Sequence, residues 1–184
     1  SKNNLLLDPR TPITKEHLIE HRKKQWKSLE NPSNKNIYTD LRQYRNSCML
    51  SIMTRDLLNL SSFEENLSSI SFLAEICIQI AYDHSILVES EKFGVPTNKK
   101  GNRSDLLIIA MGKLGGYELN PSSDVDLIFV HDENGATVPT NSSGVVIENS
   151  QFFSKVIKRI FNVLSLTTSD GYVFRVDLRL RPHG

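Results

Sequence analysis

The chain is poor in the residues that build disulfide scaffolds, zinc knuckles and nucleic-acid surfaces. Two cysteines in 184 residues are too few for a stapled fold. Cys48 and Cys77 fall within helix-like apolar stripes and lack metal-ligand spacing, which predicts buried thiols in a reducing cytoplasm. Lysine and arginine total 22 against 21 acidic residues, a formal charge of +1. Broad binding to nucleic acid or to a membrane surface needs a clustered excess of one sign, so neither is expected. No uninterrupted apolar run approaches the ~20 residues of a membrane span, the N-terminal residues show no signal-peptide pattern, and no internal repeat stands out. What is present is a 39% hydrophobic share, enough for a core in one medium domain or two small ones. The chain begins without Met and stops at Gly184 after an arginine-rich stretch, and it reads as part of something longer.

The first half is patterned for helices. Pro12 and Thr14 are suited to start a short helix through His17, Leu18, His21 and Trp26. His17 and His21 stand four apart around Leu-Ile-Glu without a third ligand, so a solvated helix face is expected rather than zinc. From Asp40, a plausible N-cap, Leu41, Tyr44, Cys48 and Ile52 form one apolar face. Ser62-Phe-Glu-Glu65 is a capping-box pattern, opening a helix that runs toward Lys92 and stops before Gly94 and Pro96. His84 lies late in that helix as a packing or surface residue. Residues 94–104 read as a polar connector.

Beyond it the chemistry concentrates. Leu106 to Met111 is a short continuous apolar run, the pattern of a strand buried on both faces. A glycine-rich turn follows, Gly112-Lys-Leu-Gly115-Gly116, and then Ser122-Ser123-Asp124-Val-Asp126-Leu-Ile-Phe. On a strand, residues i and i+2 share a side, so Asp124 and Asp126 project together while Val125, Leu127 and Phe129 pack behind. Paired carboxylates repel unless a cation neutralises them, and hard oxygen ligands beside phosphate favour Mg²⁺. The residues therefore predict a nucleotidyl-transfer site.

The rest of the chain supplies a second acidic element. Residues 132–149 read as a loop, and a helix over about 150–166 turns Phe153, Val156, Ile157, Ile160, Phe161 and Leu164 inward. A strand over 172–181 follows, with Tyr172, Phe174, Val176, Leu178 and Leu180 on one face and Arg175, Asp177, Arg179 and Arg181 on the other. That charged face suits either an exposed strand with cross-strand ion pairs or an anion-handling surface with Asp177 available to a metal. Gly112, Gly115 and Gly116 either let backbone amides approach phosphate or simply make a tight turn. Lys113 reaches a phosphate or the surface, and Ser122 and Ser123 bond phosphate or fix the turn. Arg175, Arg179 and Arg181 offer guanidinium forks that suit phosphate oxyanions. Glu118 and His131 are read as supporting residues.

These motifs resemble the DNA polymerase β-like nucleotidyltransferase superfamily. Gly-Lys-Leu-Gly-Gly-x-Glu-Leu-x-x-x-Ser-Asp-x-Asp-Leu-Ile-Phe, with Lys113 where the general pattern prefers Gly or Ser, is similar to one branch, the bacterial glutamine synthetase adenylyltransferases. Leu41-Arg42-Gln43-Tyr44-Arg45-Asn46, Arg55-Asp56-Leu57-Leu58, Gln151-Phe152-Phe153 and Asp170 to Pro182 follow in the same order, so the resemblance spans about residues 40–184.

The resemblance implies an α+β fold, with helices of region 1–93 packed on a mixed nucleotidyltransferase sheet in 105–184 that is incomplete at its C-terminal end. It implies Asp124, Asp126 and Asp177 as catalytic metal ligands for one or two Mg²⁺ ions, with Mn²⁺ able to substitute. It implies glutamine synthetase as protein substrate, a PII-type signalling protein as regulator, and ATP, ADP and phosphate as small ligands. Asp170-Gly-Tyr-Val-Phe-Arg175-Val-Asp177 and Glu148 to Phe153 lean toward the half that removes AMP from an adenylylated tyrosine by phosphorolysis. Val130-His131-Asp132 leans toward the half that attaches it from ATP. A docking domain without catalysis is the alternative of another class, and a polynucleotide-tailing enzyme finds little support in the charge balance. A chain ending at Gly184 is expected to keep its metal-binding core and to turn over weakly or not at all.

Overall fold

The computed structural model describes residues 6–131, 135–139 and 145–177. The fold is α+β: a helical layer packs against one face of a small mixed sheet. Thr14 caps α1 (Lys15–Gln25), its hydroxyl accepting the His17 amide at 3.3 Å. Leu18 and His21 of this helix are buried, and the His21 ring stacks on Tyr44 at 6.2 Å between centroids. The expected solvated face is thus corrected, because α1 lies on the core instead of in water. After a 3₁₀ turn (Lys27–Glu30), α2 covers Ile37–Leu57. It starts three residues before the expected Asp40 cap. Asn36 takes the cap position, and Asp40 sits in the first turn, where the helix dipole favours a carboxylate.

Leu41, Tyr44, Cys48 and Ile52 are all buried, as their spacing predicts. Both thiols are free and buried, and burial raises their pKa, that of Cys48 to about 12. The long α3 (Phe63–Phe93) is capped by Ser62, whose hydroxyl accepts the Glu65 amide at 3.1 Å. The Glu65 carboxylate instead takes a hydrogen bond from buried Arg55 at 2.7 Å, tying α2 to α3. By length and composition α3 could cross a membrane, but 61% of its most apolar window is buried within the fold, which makes it the core helix of this domain.

His84, near the end of α3, is buried with its Nδ1 2.7 Å from the Pro32 carbonyl oxygen. Burial is the largest influence on the ring and lowers its pKa. The contact with Pro32 and the charge of Glu91 oppose this, and Arg159 adds to it. The folded state disfavours the protonated imidazole, so the unfolded chain takes up the proton first as pH falls below about 6.5. Stability is full above that value and declines below it. We expect the melting temperature of a His84→Gln protein to fall less than that of the wild type between about pH 7 and pH 5, measured by thermal denaturation. Equal declines would remove His84 as a source of acid sensitivity.

The polar connector contains a strand. β1 (Val95–Asn98) pairs antiparallel with β4 (Gly135–Val138), which lies in the stretch expected to be loop. Four residues on each side are too short for periodicity to register, and the ladder forms only when the two segments meet. β2 (Leu106–Met111) pairs antiparallel with β3 (Val125–His131), and β3 pairs parallel with β5 (Val176–Asp177), in the order β2-β3-β5. β2 is not buried on both faces. Leu107, Ile109 and Met111 are exposed, 59%, 38% and 38%, because helices cover only the face that carries Leu106, Ile108 and Ala110.

Between the strands, α4 (Gly112–Gly115) is a single turn, and α5 (Asn149–Ser165) follows β4. Phe152, Phe153, Val156, Ile160, Val163 and Leu164 of α5 are fully buried, whereas Phe161, expected inside, lies one position to the solvent side and is 37% exposed. A single buried cluster runs from Ile13 to Phe174 through all the long helices and the sheet, with α5 packed along α3.

The predicted alternation over 172–181 also fails in its described part. Val173 and Phe174 are both buried, and both their amides donate to the Leu164 carbonyl, one of the groups left open at the end of α5. Only Val176 and Asp177 form strand; Leu178, Arg179, Leu180, Arg181 and Pro182 lie outside the described residues.

Candidate active site

The C-terminal end of β2, the start of β3 and β5 meet beside the glycine turn. Val125 and Leu127 are buried and Phe129 packs on the core, so the intervening Asp126 projects from the opposite, outer face. Asp177 is its direct partner across the parallel β3–β5 ladder. Residues opposed in register share a face, which brings Asp177 beside Asp126 on neighbouring strands. Asp124 ends the turn before β3. Its carboxylate accepts from Arg175 Nε at 2.7 Å, while Arg175 Nη2 donates to the Ser122 carbonyl at 3.0 Å. Strand pairing extends the link, since the Val125 amide donates to the Arg175 carbonyl at 2.8 Å.

The turn fits against this acidic corner. Gly112 has φ +55°, and a Cβ there would stand 2.6 Å from Asp126 Oδ2. Both the left-handed backbone and the space reserve the position for glycine. A Cβ at Gly115 would lie 2.7 Å from the Ala110 carbonyl oxygen, so the turn can fold back on β2 only without a side chain there. Gly116 meets nothing closer than ordinary contact. Lys113 is exposed, and its carbonyl accepts the Glu118 amide at 2.7 Å, which makes Glu118 part of the loop's own support. Ser122 bonds Asn120 through both its amide and its hydroxyl at 3.2 Å, a turn-fixing role. The buried Ser123 hydroxyl, next to Asp124, has no hydrogen-bond partner among the described residues. His131 stacks on Phe153 at 4.8 Å.

The donors suit a hydrated magnesium ion better than a closed protein cage. Among the described residues no three His, Cys, Asp or Glu side chains form a ready-made metal cage. Magnesium is characteristically bound by one or two carboxylates together with substrate phosphate and water. The adjacent Asp126 and Asp177, an orphaned Ser123 hydroxyl and a glycine turn with no side chain toward Asp126 fit that mode. The Asp124–Arg175 pair is about half exposed on each side, where an ion pair is worth at most ~1 kcal/mol. It can open for a competing cation.

Several residues that shape the site carried no functional signal in the sequence. Arg42 is fully buried, yet it bonds only carbonyls: Gly171 and Tyr38 at 2.8 Å, Val163 at 3.1 Å, and Leu166. Asn46 Nδ2 donates to the Asp170 carbonyl at 3.1 Å. Together they clamp the turn that delivers β5 and Asp177. In sequence, Arg42 and Asn46 stood out only as part of the family resemblance, whereas Leu41 and Tyr44 were read from helical spacing. On the other side, Tyr117 has φ +57°, a conformation disfavoured for side chains with a Cβ. Its ring packs on Phe72 at 5.4 Å and its hydroxyl donates to Glu75 Oε1 at 2.9 Å. Lys15 Nζ donates to Glu75 Oε2 at 2.6 Å. Hydrogen bonding to Glu75 raises the pKa of both Lys15 and Tyr117.

Comparison with known proteins gives this geometry its context. The sequence matches the glutamate-ammonia ligase adenylyltransferase family over residues 4–184. It is 46% identical over 144 residues to a protein of Shewanella frigidimarina, and equally so over 144 residues to one of Vibrio parahaemolyticus and over 147 residues to one of Nitrosomonas europaea. Each of these is a bifunctional glutamine synthetase adenylyltransferase/adenylyl-removing enzyme. The matched segment covers 78% of this chain and 15% of each relative, so the chain spans a small part of their length. The family match over residues 4–184 shows that the chain belongs to the glutamate-ammonia ligase adenylyltransferase family.

Proposed function

We propose that the chain carries the nucleotidyl-transfer site that removes AMP from an adenylylated tyrosine of glutamine synthetase. The observation that carries this reading is the register that sets Asp177 against Asp126 at the glycine turn. The relatives' two activities leave two directions. The sequence Asp170 to Asp177, with Arg175 ahead of Val-Asp, favours phosphorolysis, and Arg175 sits at the mouth of the acidic corner.

Asp126 and Asp177, joined by Asp124 once Arg175 turns away, are the residues that would hold Mg²⁺ or Mn²⁺. The ion, when bound, supplies charge neutralisation at the phosphate and at the leaving phenolate. The chain's own residues do the rest. The turn at Gly112–Gly116 seats the phosphoryl oxygens, the Ser123 hydroxyl donates to one of them, and the guanidinium of Arg175 orients an attacking inorganic phosphate. A phosphate oxygen bonds to the AMP phosphorus, the bond to the tyrosine oxygen breaks, the phenolate takes a proton from solvent, and ADP leaves. A phenol of pKa about 10 is a tolerable leaving group, so the catalytic contribution is positioning and electrostatics, with no covalent enzyme intermediate. A PII-type protein is the regulator and the cytoplasm the compartment in this reading.

The test is incubation of the chain with Mg²⁺ and either phosphate plus adenylylated glutamine synthetase, or ATP plus the unmodified enzyme. Slow ADP release in the first mixture, in keeping with the weak turnover expected of this stretch of chain, is the expected result. Incorporation of AMP in the second alone would reverse the direction, as Val130-His131 would favour. No product in either mixture, together with no heat on Mn²⁺ titration, would leave a docking role.

A further inference from the structure

The glycine turn is held from outside the sheet. Its three closing hydrogen bonds, from the amides of Gly116, Tyr117 and Glu118 to the carbonyls of Gly112, Leu114 and Lys113, are local and lie at an exposed end of β2. Such a turn, ending in a left-handed tyrosine, does not persist by its own bonding. Two contacts from α3 hold it. The Tyr117 hydroxyl reaches Glu75, with the ring on Phe72. The Leu119 amide donates to the Ser71 hydroxyl at 3.1 Å, and Leu119 is fully buried. Glu75 is itself oriented by Lys15 of α1, so one carboxylate joins the N-terminal helix, the core helix and the turn.

We propose that Glu75 is a positioning residue for the phosphate-seating turn, acting through Tyr117. This rests on the nucleotidyl-transfer reading of the turn, and it gives the helical region a part in the site that no motif of the site shows. Glu75 touches no substrate. It sets the backbone of residues 112–118 before ligand arrives, so that binding need not bear the cost of ordering it.

The experiment combines amide hydrogen exchange on the whole chain with calorimetric titration of Mg²⁺·ADP. In Glu75→Ala and in Tyr117→Phe, exchange at Gly116, Tyr117 and Glu118 is expected to speed up on the order of 3- to 10-fold, as loss of one hydrogen bond predicts. Exchange within α3 and the melting temperature stay near wild type, and the affinity for Mg²⁺·ADP falls by about the same factor. Glu75→Gln keeps an oxygen that accepts from Tyr117 and is expected to restore both readouts to within about 2-fold. Unchanged exchange at the three amides in Glu75→Ala and Tyr117→Phe overturns the proposal, as does faster exchange with unchanged nucleotide affinity. Loosening in Glu75→Gln equal to that in Glu75→Ala also overturns it. If the wild type binds no Mg²⁺·ADP, the nucleotidyl-transfer reading falls, and the positioning role falls with it. The exchange data then still record whether Glu75 holds the turn, which separates the two failures.

Discussion

An Asp126→Asn protein is expected to lose ADP release from adenylylated glutamine synthetase by on the order of 10²–10³ or more, the scale seen when a group that stabilises transition-state charge is removed. Asp126 is where the elements of the site converge. It opposes Asp177 across the β3–β5 ladder and Met111 across the β2–β3 ladder, and its carboxylate occupies the space that a Cβ on Gly112 would need. Asparagine keeps the shape and the contact with the turn but removes the negative charge, so the fold is expected to survive. Two measurements separate the effects: the melting temperature, expected near wild type, and the heat of Mn²⁺ titration, expected to vanish. A titration indistinguishable from wild type would remove the metal from the mechanism, whatever the activity.

The second large effect concerns stability. Arg42→Met is expected to destabilise the protein by about 3 kcal/mol or more. The guanidinium is fully buried and satisfies four carbonyls, and each buried polar group left without a partner costs roughly 1–3 kcal/mol. Two of those carbonyls, of Val163 and Leu166, belong to the end of α5, where the helix dipole also favours a cation. Burial lowers the pKa of Arg42, yet an arginine stays charged in this setting. Methionine recovers some packing but none of the bonds. For a chain of this length the loss corresponds to a fall of roughly 6–12 °C in melting temperature. Because the same guanidinium holds Gly171, the variant is also expected to loosen the turn before Asp177. A melting temperature within about 1 °C of wild type would show that the clamp is dispensable.

How much was legible depended on the range of the forces involved. The Ser62 cap, the length of α3 and the apolar stripe of α2 follow from neighbours within one or two helical turns, and the sequence displays them directly. The glycine turn and the inward packing of Val125, Leu127 and Phe129 were legible for the same reason, since turn chemistry and strand alternation are local. The β1–β4 ribbon was not, because neither four-residue segment signals a strand until the other stands beside it. Nor was the burial of His21, which depends on Tyr44 from another helix, or the exposure of Leu107, Ile109 and Met111, which depends on which sheet face the helices cover. Arg42 and Glu75 look like surface charges in sequence. The partners of Arg42 are carbonyls, which leave no mark in a charge pattern, and those of Glu75 are a tyrosine hydroxyl and a lysine 60 positions away in sequence.

Local order was therefore written in residue spacing: which segments coil, where they cap, and that Asp126 would leave the core side of its strand after a turn of glycines. Tertiary packing alone decided that Asp177, 51 positions after Asp126 by the numbering, would become its strand neighbour, and that the helical half would hold the turn. The physical reason is that register and burial are chosen by contacts between distant segments, whose energies no local window contains.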